Sequence, residues 1–242
     1  MQPPSSTRAF TVIELLVVVA IMSLLMMLVV PSVNDILKAR KLAASAGELM
    51  DLLELARNEA LNQQSYVYLC LDEKVTPGGD DQIEAFYLVA KGGTAGAGGG
   101  SISWLERASR VYRWENVKLV PSTTIDPEIM EKSFGSEEGS TLTVPSSTSL
   151  SDIPKTKFEF GEKLGDKPMS ARAVIFSPQG YALFQPGLSG SYIESVSINT
   201  PYEKYVDFGL RATIGGVEQS GPASEAVVLL NGANGHIQLL RH

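Results

Sequence analysis

Glu14 is the only charged residue between Phe10 and Val30, a run of 21 residues. Placing a carboxylate in hydrocarbon costs roughly 2.5–3.5 kcal/mol near the bilayer centre and less near its surface. Such an acid calls for a partner that satisfies its charge; without one it snorkels to the headgroups or takes up a proton. The chain offers little other chemistry. His236 and His242 are its two histidines, and it has neither a His-Glu-x-x-His nor a Cys-x-x-Cys pattern, so zinc is not expected. Cys70 is the single cysteine. It excludes an internal disulfide and reads as a small core residue, an intermolecular bridge being the alternative. Asp80-Asp81 and Glu137-Glu138 are loop acids without the spacing of an EF-hand. Trp104 and Trp114 read as core aromatics. No catalytic set, cofactor or metal is expected, and the chain reads as a non-enzyme.

The elements that position Glu14 are helical. About 20 apolar residues cross a bilayer, so 10–30 is long enough to span. Pro31 lacks an N–H and should kink the helix there. Beyond it, Val33, Ile36, Leu37, Ala43, Ala46, Leu49, Leu53, Ala56 and Ala60 recur at spacings of mostly three and four, with charged residues between them. That is an amphipathic helix with one apolar stripe over 32–64. A rod over 10–64 would be roughly 80 Å long at 1.5 Å per residue.

The remainder, 65–242, reads as strands and turns. Tyr66–Leu71 and Ile83–Val89 flank a Pro-Gly-Gly-Asp turn, and Ala226–Leu230 and His236–Leu240 flank an Asn-Gly-rich one. Ala173–Phe176, Tyr181–Phe184, Tyr192–Ile198 and Val206–Ile214 supply further strands. Two insertions stand out. Residues 92–100 hold six glycines in nine positions with no Gly-Lys-Ser/Thr after them, which is a surface loop and not a phosphate cradle. Residues 121–154 are rich in Ser, Thr, Pro and acids and read as a long exposed insertion. The fold class is therefore α+β: a long N-terminal transmembrane and amphipathic helix packed on a C-terminal antiparallel β-sheet domain. A net charge of −7 disfavours nucleic acid as a partner.

Arg8-Ala9-Phe10-Thr11-Val12-Ile13-Glu14-Leu15-Leu16-Val17 closely resembles the processing site of type IV prepilins and pseudopilins. The resemblance implies a leader over 1–9, a cut by prepilin peptidase between Ala9 and Phe10, and methylation of the new Phe10 amine. Ala9 departs from the usual glycine. Glu14 then stands fifth and Pro31 twenty-second in the mature chain, the family's positions for the acid and for a helix-kinking proline. The resemblance further implies that Glu14 pairs with the Phe10 amine of a neighbouring copy and so sets axial register. Leu52–Leu61 followed by Val67–Cys70, together with the Phe-x-Pro-x-Gly turn, is similar to the H-type and FimT-like minor pseudopilins. The pilin-like proteins of the Verru_Chthon cassette protein D type are a narrower resemblance. Implied partners are the peptidase, other pilins or pseudopilins, and the inner membrane, with the β domain periplasmic before assembly. Lys38, Arg40 and Lys41 beyond the span oppose that orientation under the positive-inside rule. A loop-borne ligand-binding module, for adhesion or DNA uptake, and an anchored enzyme are the rival readings.

Overall fold

The computed structural model describes residues 11–91, 104–129, 147–153, 155–158, 169–183, 205–219 and 221–241. Helix α1 spans Val12–Gln63 and runs unbroken through Pro31. It ends where Gln64 adopts a left-handed conformation, φ 51°, and returns its N–H to the carbonyl of Ala60. Leu42, Ala46, Leu49, Leu52, Leu53, Ala56 and Ala60 are buried along one side; of the expected stripe Ala43 is only half-buried, and the side chains of Val33, Ile36 and Leu37 lie outside the described residues.

Thirteen strands follow among the described residues. They are β1 (Val67–Val75), β2 (Asp81–Lys91), β3 (Trp104–Arg107), β4 (Tyr112–Glu115), β5 (Val117–Val120), β6 (Ser147–Ser149), β7 (Thr156–Phe158), β8 (Met169–Phe176), β9 (Ala182–Leu183), β10 (Tyr205–Ile214), β11 (Val217–Glu218), β12 (Glu225–Asn231) and β13 (Ile237–Leu240). One sheet has the order β3-β2-β1-β8-β7, with β4 also on β2 and β9 on β8. The other has the order β11-β10-β12-β13, with β5 and β6 also on β10. Asn116, at φ 62°, joins β4 of the first sheet to β5 of the second. Its N–H goes to the carbonyl of Asp81, and its own carbonyl accepts from Thr213, so one residue ties the two sheets.

Both sheets turn an apolar face to α1. Val67, Leu69 and Leu71 of β1 and Val206, Phe208 and Leu210 of β10 join Leu49, Leu53 and Ala56 in one core. Alternation along each strand sends the intervening residues outward. Tyr68 and Cys70 there join Phe86 and Leu88 in a second cluster, and Val227 and Leu229 join Ile125 and Ile129 in a third. Cys70 is therefore a core residue, and burial pushes its thiol well above the ordinary value.

Two details differ from the expected picture. The described ends of the segment 121–154 are buried: Ile125, Ile129, Leu150 and Ile153 are each no more than 4% exposed. These four apolar residues fasten the two ends, and 130–146 lies outside the described residues. The sheets are also not wholly antiparallel, because Ser147–Ser149 pairs in parallel with Tyr205–Asp207. Residues 92–100, Tyr192–Ile198 and Glu137-Glu138 lie outside the described residues.

Candidate functional site

Thr11 caps α1 from an extended conformation, φ −79° and ψ 151°. Its hydroxyl accepts from the backbone N–H of Glu14 at 3.3 Å. In return, Oε2 of Glu14 accepts from the Thr11 N–H at 2.9 Å and from the Thr11 hydroxyl at 3.0 Å. This is a reciprocal capping box, in which two backbone donors that a helix start leaves free are both used. The isolated carboxylate of the sequence thus has two donors from its own chain. The Thr-x-x-Glu spacing is the sequence signal for this box.

Around the box the helix is bare. Val12, Ile13, Leu15, Leu16 and the apolar residues onward to Met27 are exposed, from 46% at Val18 to 84% at Val12. Ala9 and Phe10, the two processing positions, lie outside the described residues. Of Pro31 only the helical backbone is described. Among the described residues no helix is long and apolar enough to cross a membrane. The described side chains of this end stop at Met27, and Thr11–Met27 spans about 25 Å against roughly 30 Å of hydrocarbon.

At the other end, α1 is clasped to the β domain by Arg57. Its Nε donates to the Gly180 carbonyl at 3.3 Å and its Nη2 to the Asn234 carbonyl at 2.7 Å. These belong to the turns after β8 and between β12 and β13. Gly235 makes the second turn possible: its φ is +67°, and a Cβ there would stand 2.5 Å from Nε of Arg57 and 2.6 Å from the Gly180 carbonyl. Lower on α1, Trp114 of β4 is 3% exposed and donates its indole N–H to Glu48 at 2.7 Å, so it acts as a core aromatic. The side chain of Trp104 is not described.

Beside the Arg57 clasp lies an open hollow of about 250 Å³ lined by Glu54, Arg57, Asn58, Gly235, His236 and Ile237. None of these carries a hydroxyl or thiol. Among the described residues no group of three or more histidines, cysteines or acids is placed to hold a metal. Asp80 ends the loop between β1 and β2, and Asp81 is the first residue of β2. Asp207 of β10 is fully buried, and neither of its carboxylate oxygens has a partner among the described residues. Its register neighbours are Ser149 and Leu229.

On the first sheet, Asp72 and Glu84 face each other across β1 and β2. Lys74 reaches Glu84 at 2.5 Å and Asp72 at 3.5 Å, Arg113 reaches Glu84 at 2.9 Å, and Lys155 reaches Asp72 at 3.0 Å. Burial alone would raise the Glu84 carboxyl, but the hydrogen bonds and charges of Lys74 and Arg113 prevail and hold it below the ordinary value. The network is structural: every acid in it is already met by a cation.

No curated protein and no solved structure matches the chain. The prokaryotic N-terminal methylation motif matches residues 4–30, which include Ala9, Phe10 and the capping box at Thr11 and Glu14. Proteins bearing this motif are generally structural, and the match indicates a type IV prepilin-like protein.

Proposed function

We propose that the chain is a minor pilin or pseudopilin, a structural subunit built into a type IV pilus or a secretion pseudopilus through its N-terminal helix. The observation that carries this reading is the methylation motif over residues 4–30. An apolar helix end that the β domain leaves uncovered supports it. In this reading, residues 10–30 first hold the chain in the inner membrane with the β domain periplasmic. Prepilin peptidase removes 1–9, and the Phe10 amine is methylated. The helix then leaves the lipid for a bundle of similar helices, with Pro31 supplying the bend.

The capping box refines the role of Glu14. In the single chain, its carboxylate is held by Thr11 and needs no second copy. Removal of the leader creates a cation one residue before Thr11. The Thr11 donors are neutral, whereas an ammonium adds a full opposite charge in an apolar surrounding, so the neighbour's amine can displace them. Glu14→Ala should leave cleavage largely intact and reduce recovery of the protein in sheared filaments by at least tenfold. Normal recovery contradicts the register role.

A further inference from the structure

Residues 122–129 lie across the face of the second sheet that is turned away from α1. They follow β5 through a single 3-10 turn, Ser122–Thr124. Ile125 and Ile129 then join Val120 of β5, Val227 and Leu229 of β12 and Leu240 of β13 in one apolar cluster. Gly209 of β10 provides the seat. A Cβ there would stand 2.8 Å from Cδ1 of Ile125 and 2.3 Å from the Val120 carbonyl, so a side chain at 209 would lift the stretch off the sheet.

The polar fastenings described for this stretch sit together at one end of the same face. Arg211 donates through Nη2 to the Thr124 carbonyl, and Glu225 accepts from the Asp126 N–H at 2.8 Å. Arg211 and Glu225 are register partners on β10 and β12, and they bond to each other from Nε to Oε1 at 3.0 Å. Glu218 holds Arg211 from a third strand at 2.8 Å. The latch is therefore assembled on the sheet before residues 122–129 close onto it.

Strand alternation places Arg211, Gly209 and Asp207 on one side of β10, in steps of about 7 Å. The row runs from latch to seat to Asp207. Asp207 is fully buried, and neither of its carboxylate oxygens has a hydrogen-bond partner among the described residues. Across the strands it meets Leu229 and Ser149, and the Ser149 hydroxyl turns to that of Ser151 at 3.1 Å. With or without its proton, a carboxyl group sealed in this way has given up water and received no bond in return.

The geometry points to residues 122–129 as a strap that opens locally while both sheets stay paired, with Asp207 as the group that favours opening. In the closed state, Ile125, Ile129 and the Arg211–Glu225 latch hold the strap down, and Asp207 opposes them. Lifting the strap returns Asp207 to water and bares Val120, Val227 and Leu229. The backbone pairing of β10 with β12 does not pass through the strap, so the penalty at Asp207 weakens the strap ahead of the sheet. An apolar residue at 207, like its neighbours on β12, would make residues 122–129 a fixed part of the core. The acid makes them a cover.

Backbone hydrogen exchange of the full-length, detergent-solubilised protein tests this. The amides to follow are those of Ile125, Asp126 and Ile129, each bonded in the closed strap. In the parent chain they should exchange at least tenfold faster than the β12 amides paired with β10. Asp207→Leu should slow them at least tenfold and leave the amides of β1 and β2 unchanged. Asp207→Ala removes the same oxygens without adding bulk, and should slow them in the same direction if the leucine variant fails to fold. Glu225→Ala should speed them at least tenfold. Strap exchange that is unchanged in both 207 variants overturns the proposal. So does slowing that is equal in β1 and β2, since Asp207 would then act on the whole fold. Faster strap exchange in the 207 variants means that Asp207 holds the strap down, and unchanged exchange in Glu225→Ala removes the latch; either result also overturns it.

Discussion

One helix here has two halves with different means of support. From Leu42 to Ala60, α1 sinks a leucine and alanine stripe into both sheets and is fastened by Arg57 and Glu48. From Val12 to Met27 the same backbone geometry carries larger apolar side chains that stay exposed. Most helix stability in proteins comes from packing of an apolar face, and isolated helices are marginal in water. The upper half satisfies that requirement within the chain. Among the described residues the lower half has only its backbone ladder and the Thr11–Glu14 box, and in the proposed filament its packing comes from lipid or from other helices.

The largest effect that separates the halves comes from truncating one leucine in each. Leu53→Ala, at a fully buried position, should lower the unfolding free energy of the detergent-solubilised chain by about 2–5 kcal/mol in denaturant titrations. Leu24→Ala, 72% exposed, should stay within about 0.5 kcal/mol of the parent while impairing assembly. Equal losses at the two positions would erase the distinction. The Arg57 clasp comes next. Arg57→Ala leaves two turn carbonyls without their donor and should cost about 1–3 kcal/mol. Gly235→Ala forces a side chain into the same space, so the double variant should lose clearly less than the sum of the two. Additive losses would mean that the turns hold without Arg57.

The smallest effect is acid sensitivity confined to the β domain. Glu84 and Glu218 have carboxyls held below the ordinary 4.5 by their lysine and arginine partners. A folded-state value below the unfolded one adds stability that is complete above the unfolded value and is lost as pH falls through the folded one. Stability should hold from neutrality to about pH 5 and then decline. Since Lys74 is 44% and Arg113 64% exposed, Glu84→Gln should cost under about 1 kcal/mol at pH 7 and make the acid decline shallower. An unchanged decline would place the acid sensitivity elsewhere.

Local pattern carried the parts of this architecture that local physics controls. The 3.6-residue stripe announced the buried face of α1, and alternation with turn residues announced β1, β2, β12 and β13. The Thr11-x-x-Glu14 box is equally local, since its spacing alone specifies the cap, whereas the cost of a carboxylate in an apolar run says nothing of where its partner sits. Contacts across long separations were closed to it. Arg57 reaches carbonyls 123 and 177 residues away, and nothing near Gly180 or Asn234 names it as the donor. The parallel strand Ser147–Ser149 has no apolar alternation because only three residues pair. Ile125, Ile129, Leu150 and Ile153 are too few in their polar surroundings to show any period, yet each is buried.

Intact-mass and N-terminal analysis of the full protein extracted from its native membranes tests the central reading most directly. A chain that begins at N-methyl-Phe10, with Glu14 fifth and Arg8 gone, is the expected result. A chain that still starts at Met1, or one severed beyond Val30, would contradict it.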